Sequence, residues 1–349
     1  MFGFFKMKRI LFIVDIKNWA YDDQAKNWKK SLDKFYNIDI LYLTEYPPTS
    51  ASKNGKIVLQ YLKSKYLLKE KIDHDYVRSL LGYDLFRQKK DLVLPVFDHR
   101  KYDGIVFFYN KGLFDSRLIA TAIPRSKVAI CINNEKWLYE EGCEDFVKLY
   151  TKDCKLIIGC NNFIVNRFSE CFPNVLKASQ LVNDDIFYPS RPKKKYNPGK
   201  IVLGFSGNYQ SEWKNVDLIR KACKDTNVNL LIAKNKTRVQ LNRWYNRIDG
   251  LICASKAEGG PMCLLEAGIC KTPIITTRVG IGREFINNST AFPVKASAED
   301  IARGIKAFKS SNDRAKEKSE KLYEIIKKRW TYKAKSYEMK KALDFLCNK

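Results

Sequence analysis

The run Ser255-Lys256-Ala257-Glu258-Gly259-Gly260-Pro261-Met262-Cys263-Leu264-Leu265-Glu266-Ala267-Gly268 joins the end of an apolar strand to the start of a helix. The strand, Gly250-Leu251-Ile252-Cys253-Ala254, is short and bounded by polar residues, the pattern of a strand buried on both faces of a parallel sheet. Gly259-Gly260-Pro261 lets the backbone approach a ligand closely and presets the helix start. A helix from about Pro261 leaves the amides of Met262 and Cys263 without partners inside the helix, and with the helix dipole these favour an anion such as a diphosphate. Glu266 lies five positions on, about 7.5 Å along the axis, and Glu258 brackets the other side. Carboxylates facing vicinal diols accept charge-assisted hydrogen bonds, so the pair suits a ribose and a sugar. Taken singly, each glutamate reads equally well as a solvated charge. The apolar neighbours of Glu266 count against that, because an unpaired carboxylate is costly to bury among them.

Outward from this run, strands and helices alternate, which predicts α/β layers around parallel sheets. Strands are expected at 9–14, 38–43, 104–109, 128–132 and 156–159, with a helix over 20–35, as one doubly wound domain. A second alternation places strands at 201–205, 228–233, 250–254 and 273–276, and residues 299–349 are helix-forming. The basic, proline-bounded segment 191–199 reads as a linker or surface loop. Ligands of open α/β sheets bind outside the carboxyl ends of the strands, where all of these candidate residues fall.

Residues 249–286 resemble the donor-binding region of retaining glycosyltransferase family 4, within the glycosyl transferases group 1. The resemblance rests on a Glu, seven residues and a Glu, followed in order by Ala267-Gly268, Thr272-Pro273-Ile274-Ile275-Thr276-Thr277, Val279-Gly280 and Glu284-Phe285-Ile286. Val182-Asn183-Asp184-Asp185-Ile186-Phe187-Tyr188-Pro189 is similar to the family's interdomain signature, with two positions drifted. Val202-Leu203-Gly204-Phe205-Ser206-Gly207 with Lys214-Asn215-Val216-Asp217 resembles the opening of its second domain, and Arg329-Trp330-Thr331 its motif before the last helix.

The resemblance implies a GT-B fold, two Rossmann-like domains facing a cleft: 1–190 for the acceptor, 191–199 as linker, 200–325 for the nucleotide-sugar donor, and a helix over 326–349 crossing back to the first domain. It implies retaining transfer from a nucleotide-diphosphate sugar to a glycan or lipid-linked acceptor, with no cofactor and no metal. Glu258 would contact the donor sugar, Glu266 the ribose and Lys214 the diphosphate. Gly207, Asn208, Gly259, Gly260, Met262 and Cys263 would complete the donor seat. The catalytic set is Glu258 and Lys214, with Asn133 or Glu135 orienting sugar or acceptor.

Three departures bear on that set. Asn208 stands where the family usually has an arginine. Asp15-Ile16-Lys17-Asn18-Trp19 replaces a glycine-rich loop, and Ile132-Asn133-Asn134-Glu135-Lys136-Trp137 has asparagine where many members carry histidine. The chain's histidines, His74 and His99, read as solvated surface residues. Asp73-His74-Asp75 reads as a solvated helix start, not a metal site. A non-catalytic sugar- or nucleic-acid-binding module is the alternative these departures open.

At 349 residues the chain exceeds one ordinary core. Its longest apolar runs, such as Ile10-Leu11-Phe12-Ile13-Val14, are far shorter than a membrane span, and residues 1–8 do not resemble a signal-peptide core. Cytoplasmic residence is the expectation. The ten cysteines, among them Cys131, Cys253 and Cys263, read as reduced core residues. A net charge of +26 attracts polyanions and anionic surfaces. Residues 53–90, basic and aromatic, suit peripheral contact with an anionic inner membrane surface, or equally an amphipathic helix with a lysine-rich solvent face. DNA is the other polyanionic partner, in which case the chain would glycosylate modified bases.

Overall fold

The structure, a computed structural model, describes residues 7–15, 17, 20–46, 91–93, 97–108, 123–140, 142–190 and 200–348. The stretch 53–90, with Asp73-His74-Asp75 inside it, and the linker 191–199 lie outside the described residues.

The first half forms a six-stranded parallel sheet in the order β2-β1-β5-β6-β7-β8. Its strands are β1 (Lys8–Val14), β2 (Tyr36–Tyr42), β5 (Gly104–Phe107), β6 (Val128–Ile132), β7 (Leu156–Gly159) and β8 (Val175–Lys177). A small antiparallel pair, β3 (Thr44–Tyr46) and β4 (Asp91–Val93), stands apart. The last five residues of β1 are all buried, as a strand covered on both faces by helices requires. Covering helices include α1 (Ala20–Leu32), α2 (Lys136–Glu140), α3 (Cys143–Phe146) and α4 (Asn162–Ser169). Helix α1 stops at Leu32, short of the expected 35, and β2 begins earlier than expected because Tyr36 is buried and donates its hydroxyl hydrogen to Asp344.

The second sheet is also parallel, in the order β10-β9-β11-β12-β13. It comprises β9 (Val202–Ser206), β10 (Asn229–Ala233), β11 (Gly250–Cys253), β12 (Ile274–Thr276) and β13 (Phe292–Pro293). Helices α5 (Val216–Asp225), α6 (Arg238–Tyr245), α7 (Met262–Ile269), α8 (Ala298–Lys309) and α9 (Asn312–Arg329) flank it. Strand order reverses at β1/β5 in one sheet and at β9/β11 in the other, so the crevices that take ligands in doubly wound folds open there. Short β8 and β13 were not expected from sequence.

The chain returns to the first sheet at Trp330, where α9 ends. The amide of Val182 donates to the Trp330 carbonyl at 2.9 Å, and Thr331 caps α10 (Tyr332–Cys347). Helix α10 packs on α1, β5, β7 and β8, with the rings of Trp28 and Tyr332 5.0 Å apart. One apolar cluster runs from Phe12 and Trp28 through Val182 and Phe187 to Tyr245, Leu265 and Tyr332.

Two sequence expectations are corrected. Cys143 and Cys171 are joined in a disulfide, whereas eight other cysteines are free, Cys131 and Cys253 among them in the core. Their two elements, α3 and the turn after α4, meet only in the tertiary fold. His99 is buried, not solvated, because the turn it starts folds onto the sheet, and burial and then Lys127 lower its pKa. Among the described residues no helix is long and apolar enough to cross a membrane.

Candidate functional site

The site is built where β9 and β11 end. After Ser206 the chain turns at Gly207, whose φ of +147° disfavours any side chain. Asn208 is exposed, and its Oδ1 accepts from the amide of Gln210 at 3.1 Å. A short 3-10 turn over Glu212–Lys214 delivers Lys214 back beneath Gly207, where a Cβ on the glycine would lie 3.8 Å from Lys214 Cε. Two contacts fix this return: Asn215, at φ +51°, donates from Nδ2 to the Ala254 carbonyl at 2.7 Å, and the Lys256 amide donates to the Trp213 carbonyl at 2.8 Å.

Lys214 thereby meets Glu258. Its Nζ donates to Glu258 Oε1, which also accepts from Ser255 Oγ at 2.7 Å, and the Ser255 carbonyl is held by Thr277. Glu258 is buried. Burial is the largest single influence and works to lower the Lys214 pKa, but the charge and hydrogen bond of Glu258, with the neighbouring Cys253 and Cys263, make the net shift upward, so the lysine is held cationic.

Helix α7 follows, with Pro261 at its cap and Met262 and Cys263 half-buried in its first turn. Met262 Sδ accepts from Gln24 Nε2 of α1 at 3.7 Å. Cys263 hydrogen-bonds to Cys253, which lowers the Cys253 pKa and raises its own. Glu266 is 2% exposed. Its Oε1 accepts from Arg238 at 2.6 Å and its Oε2 from the Tyr245 hydroxyl at 2.8 Å. Arg238 also reaches Asp23 of α1 at 2.9 Å and lies over the Phe187 ring. Burial raises the Asp23 pKa despite Arg238. Arg238 is thus a bridge between the two halves laid over the second glutamate, and sequence reading missed it. A signal was present: Thr237-x-x-Gln240 is a capping box, and it presents Arg238 as the first residue of α6.

The first sheet contributes a different set. Asn133 follows β6, and its Nδ2 donates to the Phe108 carbonyl at 3.0 Å. Its own carbonyl presses on Gly259, where a Cβ would sit 1.8 Å from the Asn133 oxygen. Asn161, after β7, donates to the Gly259 carbonyl at 2.8 Å, as does the Ile281 amide. Gln180 closes on Gly260 with its side chain, and Gly280, at φ +55°, packs on the carbonyls of Glu258 and Gly259. Glu135 is fully buried and receives the guanidinium of Arg283. Burial raises the Glu135 pKa, with Arg283 opposing. Glu284 accepts from the Asn162 amide at 2.9 Å and from Lys177 at 2.6 Å. Gly207, Lys214 and Glu258 are therefore brought together, with Gly259 and Gly260 next to them. Asn133 touches Gly259, Glu135 faces Arg283, and Glu266 is covered by Arg238. Among the described residues no group of three His, Cys, Asp or Glu side chains could hold a metal ion.

Residues 226–329 match the family model of the glycosyl transferases group 1. No curated protein matches the chain. Solved structures match over nearly its whole length and show a GT-B fold. HepE of Anabaena, crystallised with UDP and glucose, is 12% identical, with 97% of this chain and 100% of that one covered and a TM-score of 0.65. A glycosyltransferase from Rickettsia africae is 14% identical, covering 99% and 100%, with a TM-score of 0.66. A TarM mutant of S. aureus, in complex with Fondaparinux, alpha-GlcNAc-glycerol and UDP, is 11% identical over 97% and 100%, with a TM-score of 0.64.

Proposed function

We propose that this chain transfers a sugar from a nucleotide-diphosphate donor to a glycan or lipid-linked acceptor, with retention and without a metal, as a family 4 enzyme working at the inner membrane surface. The observation that carries this reading is the Lys214–Glu258 pair beneath Gly207 at the strand-order switch of the second sheet. A cation fixed there, beside the first amides of α7, opposes the charge that develops on a leaving diphosphate. Glu258 keeps a second carboxylate oxygen for a sugar hydroxyl. Glu266 takes the ribose once Arg238 swings from it, still holding Asp23. HepE and TarM, of the same fold, were crystallised with UDP, which favours a uridine donor.

The deciding measurement is turnover of uridine, guanosine and adenosine diphosphate sugars, with the anomer of the product read by NMR. Release of nucleoside diphosphate with a retained anomer, undiminished by chelator, is expected. Binding without turnover of any donor would leave a non-catalytic module, and an inverted anomer would remove the family 4 assignment.

A further inference from the structure

We propose that the face at the amino ends of β1, β2 and β5 docks on an anionic lipid bilayer. In parallel strands β1 and β2, Lys8 pairs with Tyr36. The residues one step earlier, Met7 and Phe35, therefore stand side by side, and both are exposed, at 44% and 50%. The end of α10 arrives at the same face, since Leu346 packs on Gly104, the first residue of β5. Along α10 the exposed positions Lys333, Tyr337, Lys341 and Phe345 recur every four residues, which makes one stripe. Tyr337 is 61% exposed and Phe345 37%. Lysines tie the stripe to the strand ends: Lys340 lies 5.1 Å from the Phe35 ring centre and Lys155 6.0 Å from that of Phe345.

Beside these side chains is a recess of about 490 Å³ whose lining includes Met7, Lys8, Arg9, Arg100, Lys101 and Lys127. Asp103 is the one acid of the lining, and it is 3.5 Å from Lys8. The ion pairs here, Lys8–Asp103, Arg9–Asp39 and Arg100–Asp98, are solvent-exposed and so weak enough to rearrange around a phosphate. Cations alone would suit any polyanion. Cations with exposed Met7, Phe35 and Phe345 at the same end of the sheet suit a surface that offers phosphates and hydrocarbon together, as an anionic bilayer does.

The inference rests on the proposed function only for placement at a membrane, and it adds an orientation. The candidate site is at the carboxyl ends of the strands, so docking by the amino ends turns the cleft away from the lipid. Strands β1 and β2, of seven residues each, put it roughly 20 Å or more above the surface. An acceptor anchored in that bilayer must then carry a polar chain long enough to reach it.

The test is flotation of the full chain with phosphatidylcholine vesicles, with and without phosphatidylglycerol. Binding is expected only with phosphatidylglycerol, reduced about tenfold or more by Lys101→Glu with Lys127→Glu, and reduced also by Phe35→Ser with Tyr337→Ser at unchanged charge. Lys316→Glu with Lys328→Glu, a reversal of equal size on α9, should leave it intact. Equal loss in the α9 variant would reduce the effect to net charge. Undiminished binding of the serine variant, with soluble dextran sulfate displacing the vesicles, would make a dissolved polyanion the partner. Either result overturns the proposal. Nucleotide-sugar turnover in solution, assayed on the same variants, reports separately on the proposed function.

Discussion

The carboxyl ends of the two sheets face each other with polar residues of similar kinds, but the two sets are spent differently. In the second sheet, Lys214, Ser255 and Glu258 satisfy one another inside a single domain and leave Gly207 and the start of α7 beside them. In the first, Asn133, Asn161, Gln180 and Glu135 are taken up by contacts with residues 259–283 of the other half. Under the proposed function the second sheet's set is the seat for the donor, and the first sheet's is a brace between the two halves. A residue type typical of active sites therefore indicates chemistry only when its hydrogen-bonding capacity has not been used in holding the fold.

The largest effect should come from Gly259→Ala. Its Cβ would be driven into the Asn133 backbone, which cannot rotate away, so the halves must separate. Misplacing reacting groups by about 1 Å costs roughly 100-fold, and transfer should fall by at least that. Gly260→Ala meets only the Gln180 side chain, so it should be milder and be rescued by Gln180→Ala. Equal activity of Gly259→Ala and wild type would dissolve the brace. Next in size is Lys214→Met, which leaves Glu258 buried with Ser255 alone. Truncating one member of a desolvated pair costs about 2–5 kcal/mol, and nucleotide affinity by titration calorimetry should drop about 30-fold or more. Adding Glu258→Gln should recover thermal stability without recovering affinity.

How much of this was legible follows from where the partners lie. The strand, the Gly-Gly-Pro turn and helix α7 are consecutive, and apolar runs and turn residues announce them. Lys214 near Gly207 came from a short motif for the same reason. Arg238 did not, although its capping box marks a helix start, because its partners Asp23 and Glu266 are brought to it only by the packing of three elements. His99 was misjudged because nothing local to it reveals that the fold covers it, and the burial of Glu135 is hidden in the sequence for the same reason. Strands β8 and β13, of three and two residues, are too short to show an alternation and exist because a neighbouring strand offers its edge.

Arg238 sits on the border between seat and brace, so its removal sharpens the distinction. Arg238→Ala takes a shared cation from Asp23 and Glu266 and should lower stability by about 1–3 kcal/mol, less than a fully buried pair because its side chain is 31% exposed. Nucleotide affinity should hold or rise, since Glu266 is uncovered. A tenfold loss of affinity at preserved fold would instead make Arg238 part of the seat.

The smallest effect is a slope rather than a step. Burial raises the Glu135 pKa above its ordinary 4.5, against the pull of Arg283. The folded state then holds a proton that the unfolded chain releases first as pH rises. The contribution to stability is full below about 4.5 and is lost as pH climbs through the higher folded value. Glu135→Gln lacks this titration. The melting temperature of wild type relative to Glu135→Gln should therefore decline with rising pH across that window, while other carboxylates, common to both proteins, cancel. A difference that stays flat, or that grows with pH, would mean that Arg283 stabilises the ionised carboxylate more than burial opposes it, and Glu135 would then be an ion-paired charge facing the cleft rather than a buried part of the brace.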